Sequence, residues 1–430
     1  MRIKFLSLIV GFLFVSIAVT SCLNSDNNYD YSSDATIRAF GIDTIHGKHY
    51  KFTIDQLKGE IYNADSLPVG ADTIIDRILI DTLNVSGWVT SGVTDTLFNI
   101  KDSLDLRSPI KVKVHAPDGS SVREYTIKVN IHKQDPDLLV WEDMGNPLSS
   151  TPISSQKSVL LNGNHLFTYT SSTEVYQALT DRASFQWQRS SVSGLPVDVK
   201  LSSLINFQNK LFAVTTGGDL YNSVNGLDWT KVNTGGIQFT NLLSSFSTSI
   251  TGIEAADGKK YFCTSSDGII WTKGEEIPDN FPVENIYATL FETPTGMEKT
   301  VIVGYTGSIA TSVVPWFSLN GYDWADLASN SENYCPFLQN PSIINYGGAF
   351  YIFGGNFDKI YKSTAGIAWY ETKKKFLFPA EMAGENSYSM VVDKNNYIWV
   401  IIGQTKKGSG AIVPGKTWRG RLNRLGFIQQ

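Results

Sequence analysis

Side chains that could do chemistry are sparse in the larger part of this chain. Histidine, a common zinc and copper ligand, occurs five times, and only His165 lies beyond residue 134. Cysteine occurs at Cys22, Cys263 and Cys335, with no Cys-x-x-Cys pair. We therefore expect no metal, no other cofactor and no copper oxidase chemistry. Cys263 and Cys335 are expected to be buried free thiols, with a disulfide between them as the alternative.

Carboxylates are the remaining candidates for catalysis. A glycosidase needs only two carboxyl groups about 5 to 9.5 Å apart, and any acids that the fold brings together could supply them. Glu254, Glu292, Asp358 and Glu381 are examples, although such residues are expected to be solvated surface acids. The sequence therefore leaves glycoside hydrolysis open and names no catalytic residue.

Composition restricts the class of partner. The 430 residues carry a formal charge of −5, which becomes −7 when residues 1–21, with Arg2 and Lys4, are removed. No nucleic acid is expected as a partner, because phosphate binding requires a basic surface. The content of 42% apolar and 18% charged residues is typical of folded domains, and the length favours two of them.

The first residues predict export and lipidation. Residues 1–21 have a basic start followed by a mostly apolar run, as in a secretory signal peptide. The segment Val19–Cys22 resembles the bacterial lipobox, which implies cleavage before Cys22 and acylation of that cysteine; a plain secreted protein is the alternative. Residues 22–34 are expected to form a flexible tether to the bilayer. We predict an outer-membrane lipoprotein of the cell envelope, with periplasmic and surface exposure both open.

Short alternating runs between residues 35 and 134 predict antiparallel strands. Ile110–Val114 and Tyr125–Ile131 flank the turn sequence Ala116–Gly119 and are predicted to form a hairpin. About one hundred residues of this pattern predict an immunoglobulin-like β-sandwich over residues 35–134. The segment Gln134–Asp137 is predicted to be a linker, because its proline and acidic flanks favour neither strand nor helix.

The remaining chain repeats a short motif. The heptapeptide Ser223–Trp229 recurs with the same Ser-to-Trp spacing in copies that end at Trp271, Trp324 and Trp369, and a degenerate copy ends at Trp187. Successive motif tryptophans are 42 to 53 residues apart. Steps of this length in a β pattern predict the four-stranded blades of a β-propeller.

Each conserved position of the motif has a predicted structural role. The glycines are expected in two-residue type I′ turns, which require positive φ at both central residues. The tryptophans, three residues later, are expected to fill the wedges between blades. The constant spacing keeps each ring on one face of its sheet. These structural residues are Gly226, Gly268, Gly321 and Gly366, with Trp141, Trp187, Trp229, Trp271, Trp324 and Trp369.

The two ends of the repeat region are predicted to complete one blade. Residues 138–143, which include Trp141, resemble an outer strand without inner strands, and residues 417–425 resemble a third strand without a fourth. Strand exchange between them would leave no open sheet edge in the ring. We therefore predict an all-β chain in which residues 138–430 form a closed six-bladed propeller.

The motif resembles the Asp-box of sialidase-like propellers, with one residue fewer between Ser and Trp. The whole chain resembles a family of Bacteroidales lipoproteins that combine an immunoglobulin- or cadherin-like domain with a six-bladed propeller. Ile61–Pro68 and Trp418–Phe427 carry that likeness. The resemblance implies architecture and no activity. Sialidase activity is disfavoured, because that site needs several arginines and none lies between Arg189 and Arg419.

Ligands are expected on the propeller face opposite the motif turns, where blade-to-blade loops and loops between second and third strands meet. Aromatic, amide and acidic residues near glycine in those loops could stack on and hydrogen-bond a sugar, although such loops are also ordinary surface. The candidates are Tyr305, Tyr334, Asn356, Phe357, Asp358 and Lys406. We expect a non-catalytic binding or scaffold module for a glycan or a surface protein. A glycoside hydrolase with a carboxylate pair on this face is the alternative.

Overall fold

The computed structural model describes residues 31–145, 147–182, 184–305, 313–327 and 333–427. The predicted signal peptide, the lipidation site Cys22 and most of the tether lie outside these residues. The described chain is all-β, and its helices are short 3-10 turns. None of those helices is long and apolar enough to cross a bilayer. The chain divides between Asp135 and Pro136 into two compact units, which are described in turn.

The first unit contains two sheets that share one apolar core. In the smaller sheet, β1 pairs with β4; the larger sheet has the order β2-β3-β7-β6-β5, in which only β3 and β7 are parallel. The hairpin predicted around Ala116–Gly119 is present as β6 and β7. The strands are β1 (Ile37–Ile42), β2 (Phe52–Asp55), β3 (Glu60–Asn63), β4 (Ile80–Val85), β5 (Trp88–Ser91), β6 (Ile110–His115) and β7 (Val122–Lys128). Ile37 and Tyr125, one from each sheet, lie in the common core.

The described residues of the second unit form six antiparallel sheets, which we name A to F in chain order. Sheets A to E have four strands each, paired in sequence order. The strands of sheets A and B are β9 (Lys157–Leu161), β10 (His165–Tyr169), β11 (Glu174–Leu179) and β12 (Gln188–Ser191), then β13 (Ile205–Phe207), β14 (Lys210–Val214), β15 (Leu220–Ser223) and β16 (Thr230–Lys231). Those of sheet C are β17 (Gln238–Ser245), β18 (Ile250–Ala256), β19 (Lys259–Ser265) and β20 (Thr272–Glu276). Those of sheets D and E are β21 (Glu284–Glu292), β22 (Glu298–Tyr305), β23 (Trp316–Ser318) and β24 (Ala325–Asp326), then β25 (Ser342–Tyr346), β26 (Ala349–Phe353), β27 (Ile360–Ser363) and β28 (Tyr370–Glu371).

Sheet F draws strands from both ends of the unit. Its order is β29-β30-β32-β8, with a short strand β31 also paired to β30. In the β32–β8 pair, Gly420 lies opposite Trp141, and a Cβ atom at position 420 would come within 2.6 Å of the Trp141 ring. Glycine is therefore required at that contact. The strands are β8 (Leu139–Asp143), β29 (Glu385–Val392), β30 (Ile398–Lys406), β31 (Ile412–Pro414) and β32 (Thr417–Leu422).

The first strands of the six sheets contact one another in turn. Strand β9 contacts β13 and β29, β17 contacts β13 and β21, and β21 contacts β25. A hydrogen bond of 2.5 Å between the Ser342 and Tyr388 hydroxyls joins β25 to β29. This arrangement, with four-stranded sheets around a common centre, is that of a β-propeller.

The motif turns differ from the prediction. The four motif glycines have φ between +75° and +82°, as expected, but the residue before each of them does not have a positive φ. The loop is also longer, because β15 ends at Ser223 and β16 begins at Thr230. The type I′ prediction is therefore wrong for these turns.

Side chains of the motif organise this longer turn. The Ser223 hydroxyl accepts a hydrogen bond from the Gly226 amide at 2.9 Å, and the Asn225 side-chain oxygen accepts from the Asp228 amide at 2.9 Å. The copy at Ser265 has the same bonds, made through Asp267. Serine and Asx side chains bond their own backbone in this way where the chain leaves regular structure. The motif therefore encodes a side-chain-capped loop rather than a minimal hairpin.

The motif tryptophans lie between sheets. Trp229 is 4% exposed and meets Tyr169 of sheet A edge-on at 5.8 Å. Trp324 stacks on Phe262 of sheet C at 5.9 Å, and Trp369 shares a core with Val301 of sheet D. The Trp187 indole donates to the Thr417 hydroxyl of sheet F at 3.1 Å. Trp271 and Trp141 likewise pack against cores that include residues of sheets B and E.

Candidate functional site

A cavity of about 410 Å³ opens where the first strands of the propeller begin. The motif turns follow third strands, so they lie at the opposite ends of the antiparallel strands. Most of the cavity wall consists of serine hydroxyls and side-chain amides. The wall is formed by Ser154, Ser155, Gln156, Lys157, Ser202, Asn285, Ile286, Tyr287, Gln339, Asn340, Glu385, Asn386, Ser387, Tyr388, Gln404, Lys406 and Ile412.

A second cavity, of about 180 Å³, lies further along the first strands. It shares Lys157, Ser202, Ile286 and Tyr287 with the larger one, and its remaining wall combines serines with apolar residues such as Leu242, Leu290 and Met390. The two cavities therefore meet at these four shared residues.

Two tyrosines form the aromatic part of the larger cavity. The rings of Tyr287 and Tyr388 are stacked, with centroids 6.0 Å apart. The Tyr388 hydroxyl lies 3.0 Å from the Asn340 carbonyl, to which it donates, and the Tyr287 hydroxyl donates to the Tyr388 carbonyl at 3.4 Å. Burial raises the pKa of both phenols above the usual value. Both rings are therefore held in place as neutral groups at physiological pH.

Lys157 is the cation at the centre of the site. Its ammonium nitrogen lies 4.8 Å from the centroid of the Tyr287 ring. Burial lowers the pKa of Lys157 to about 8, because the ammonium group loses hydration. At the rim, by contrast, the Lys406 ammonium lies 3.1 Å from a Glu385 carboxylate oxygen. The two lysines of the wall thus differ in kind, since one is paired and the other is not.

The acids proposed from the sequence do not form a catalytic pair in this cavity. Among the described residues that line it, Glu385 is the only carboxylate. Glu254 is 6% exposed on β18, 3.9 Å from Lys273, and Glu292, Asp358 and Glu381 also lie outside the cavity wall. No group of three metal-binding side chains occurs in the described part of the chain. Cys263 and Cys335 are buried free thiols.

Lys406 is the one residue among the six predicted ligand-binding residues that lines the cavity. Tyr305 lies behind the wall, where its hydroxyl accepts a hydrogen bond from the Asn340 amide and donates to the Leu338 carbonyl at 3.3 Å. Tyr334, Asn356 and Asp358 are exposed and do not belong to the cavity wall.

Phe357 requires a correction. The ring is 2% exposed and packs edge-on against Tyr388 at 4.7 Å, so it supports the cavity wall from behind and offers no face to a ligand. Its position beside glycines made it resemble a loop residue, but its side chain turns into the core. Residue type near glycine does not reveal this orientation.

Sequence reasoning missed Lys157, Tyr287 and Tyr388, which belong to the first strands rather than to the loops. A signal was present at Lys157, because this lysine opens the otherwise largely apolar strand Lys157–Leu161. A charged side chain at the start of an inner propeller strand lies near the centre of the propeller. No comparable signal distinguishes the two tyrosines from core aromatics.

Comparison with protein families identifies the chain. Residues 135–430 match the model described as the DUF6242 β-propeller domain. Residues 22–129 match the DUF6242 N-terminal domain. This chain belongs to the DUF6242 family. No curated protein matches the DUF6242 chain.

Several solved propellers resemble the DUF6242 chain weakly. A gluconolactonase from Xanthomonas campestris is 10% identical, with a TM-score of 0.41, and the match covers 65% of this chain and 91% of that one. AofleA from Arthrobotrys oligospora is 13% identical at a TM-score of 0.39, covering 64% and 85%. YCF48 from Cyanidioschyzon merolae is 14% identical at a TM-score of 0.34, covering 65% and 88%. At these scores the similarities carry no argument about the function of the DUF6242 protein.

Proposed function

We propose that this protein is a non-catalytic binding module whose propeller holds a glycan in the larger cavity. The observation that carries the proposal is the chemistry of the wall, where neutral hydroxyl and amide groups surround the stacked rings of Tyr287 and Tyr388. A volume of about 410 Å³ falls within the range of small-ligand sites.

The wall suits a sugar for two physical reasons. Serine hydroxyls and asparagine and glutamine amides both donate and accept hydrogen bonds, as sugar hydroxyl groups do. A tyrosine ring offers an apolar surface against which the C–H face of a pyranose can pack. Asn285, Gln339 and Gln404 supply amides around the aromatic pair. A neutral sugar can therefore bind to these groups without any change in their protonation.

Binding without hydrolysis is supported by the protonation chemistry of the cavity. Glycoside hydrolysis of the common kind requires two carboxyl groups, and Glu385 alone lines the cavity among the described residues. Tyr287 and Tyr388 have raised pKa values, so neither can act as a base near neutral pH. Among the described residues, the hydrolase alternative therefore has no second acid at this site.

We also propose a finer architecture for each unit. The six sheets of the second unit would be six blades of a ring, closed by the pairing of β8 with β32. The first unit would be an immunoglobulin-like sandwich, in which the core shared by its two sheets lies between them. The ring would present the ligand cavity.

The envelope location is part of the same proposal. The acylated Cys22 would hold the protein in the outer membrane, each buried methylene contributing about 0.8 kcal/mol. The match to the N-terminal family domain begins at this residue. We expect Cys22→Ser to move the protein from the membrane fraction to the soluble fraction of fractionated cells. Equal membrane retention of the variant would contradict lipid anchoring.

The binding proposal can be tested with residues 23–430 on a glycan array, followed by calorimetry on the retained sugars and mass spectrometry of the mixture. Retention without cleavage products is expected. The variant Tyr287→Leu should weaken binding at least tenfold, whereas Tyr334→Ala, outside the cavity, should leave it unchanged. Cleavage products would favour the hydrolase, and an array without any retained sugar would leave a protein partner as the ligand.

A further inference from the structure

Lys157 is partly buried and has no counter-charge among the described residues. Its ammonium group forms no ion pair or hydrogen bond within the described part of the chain. Sixteen other lysines and arginines there are paired with acids. The ammonium group lies over the face of the Tyr287 ring, 4.8 Å from its centroid. Desolvating a cation with so little compensation is unfavourable.

The position of Lys157 makes this cation reachable from the larger cavity. It begins β9 of sheet A, whereas Tyr287 belongs to β21 of sheet D, and sheets B and C separate these two in the chain. Both residues line the 410 Å³ cavity and the 180 Å³ cavity. The pair therefore forms the floor of the larger cavity, and a ligand seated there meets the ammonium group directly.

The charge of the cavity selects the kind of anion. Lys157 supplies one positive charge, and the second lysine of the wall, Lys406, is already paired with Glu385. A single lysine surrounded by serine and amide groups matches a group with one negative charge. Phosphate sites rely instead on arginine forks or several backbone amides to hold a charge near −2.

We propose that the cavity recognises a glycan that carries a hexuronate, whose carboxylate pairs with the Lys157 ammonium group at the cavity floor. This inference rests on the proposed glycan-binding function and adds the substrate class. The remaining hydroxyl groups of the uronate would bond the serine and amide side chains above. The Tyr287 ring would lie beneath the sugar, and the Tyr388 ring would bound it from the side.

The matched test compares oligosaccharides of galacturonate, glucuronate, mannuronate and guluronate with their neutral methyl esters, using calorimetry at pH 7 on the wild-type protein of residues 23–430. At least one acid should bind ten times more tightly than its ester. In Lys157→Gln this preference should disappear, with the ratio of the two affinities falling to about one. The control Lys210→Gln alters an exposed lysine outside both cavities and should keep the preference.

The outcomes separate the two proposals. Equal affinity for acid and ester, or an undiminished preference in Lys157→Gln, would overturn the assignment of a uronate to Lys157 and leave glycan binding intact. Binding of neither class to the wild-type protein, with no other sugar retained on the array, would overturn both.

A pH series on the wild-type protein avoids any folding defect of the variant. The ionisable groups that face Lys157 are Tyr287 and Tyr388, with Glu385 and Lys406 at the rim. The tyrosines stay neutral in this range because burial raises their pKa values. Affinity for the acid should therefore fall by up to tenfold per pH unit once Lys157 loses its proton above about pH 8, while affinity for the ester stays level. A parallel fall for both would contradict the role of Lys157.

Discussion

At the scale of single residues, the desolvated charge of Lys157 lowers the stability of the folded protein. Its pKa is about 8 in the folded chain, against 10.5 for an ordinary lysine. Below pH 8 both the folded and the unfolded state hold the proton, so the unfavourable burial of the charge is fully present. Between pH 8 and 10.5 the unfolded state binds more protons, and the wild-type protein gains stability as the pH rises.

Lys157→Met should therefore stabilise the protein near neutral pH. We expect a gain of about 1 to 2 kcal/mol at pH 7, allowing for screening by cavity water, and a difference that shrinks toward pH 10.5. Urea unfolding at pH 7 and pH 10 measures it. Lys406→Met, at a paired and exposed lysine, should show no such pH dependence. A variant less stable than the wild type at pH 7 would contradict this account.

Trp229 has the opposite effect on stability, because the packing of its ring stabilises the folded protein. The ring is 4% exposed between sheets A and B, and its indole nitrogen has no hydrogen-bond partner among the residues that the structure describes. Trp229→Ala should thus lose packing alone, at a cost of about 3 to 5 kcal/mol. This loss can be measured by chemical denaturation, monitored through the unfolding transition of the propeller. Trp88→Ala, 42% exposed in the first unit, should leave that transition unchanged.

At the scale of elements, two features require glycine in the motif turn: the positive φ and the close packing of a neighbouring sheet. A Cβ atom at Gly226 would lie 2.7 Å from the Phe167 ring of sheet A, and φ there is +75°. Gly235 has a similar φ of +71° but open space around its Cα atom. These two glycines separate the effect of backbone conformation from that of packing.

Gly226→Ala should therefore destabilise the propeller more than Gly235→Ala. The second change should cost about 1 kcal/mol, from backbone strain alone, and the first about 2 to 4 kcal/mol, because the Phe167 ring must also move. Thermal unfolding of the two variants side by side gives the comparison. Equal losses would mean that the contact with Phe167 contributes nothing.

The elements also show how far the sequence could be interpreted. The spacing of Trp229, Trp271, Trp324 and Trp369 predicted the sheets correctly, because large rings and required glycines leave a regular pattern. The turn type was wrong, since Asn-Gly alone does not reveal that Ser223 would bond the glycine amide. The sequence placed the ligand site on the propeller face opposite the motif turns, but it did not identify most of the residues that line the cavity. Its floor is made where β9 and β21, distant in sequence, meet at the centre of the propeller.

At the scale of the whole molecule, the two units should unfold separately, because each has its own core. A chain that stops after Gly415 lacks β32, which leaves β8 without its partner and removes the buried Trp418 and Leu422 from the core. Calorimetry should show the loss of the propeller transition with the transition of the first unit retained. A truncated chain that keeps both transitions would contradict the structural importance of this strand.

The place of β32 between β30 and β8 also has a consequence for biosynthesis. Strand β32 is translated long after β8 but fills an interior position of the sheet, so β8 stays unpaired while the strands between them are synthesised. A nonsense codon within or shortly before residues 417–422 would thus be as damaging to this unit as a large deletion. If the chain is exported, sheet F can be completed only after β32 has crossed the membrane.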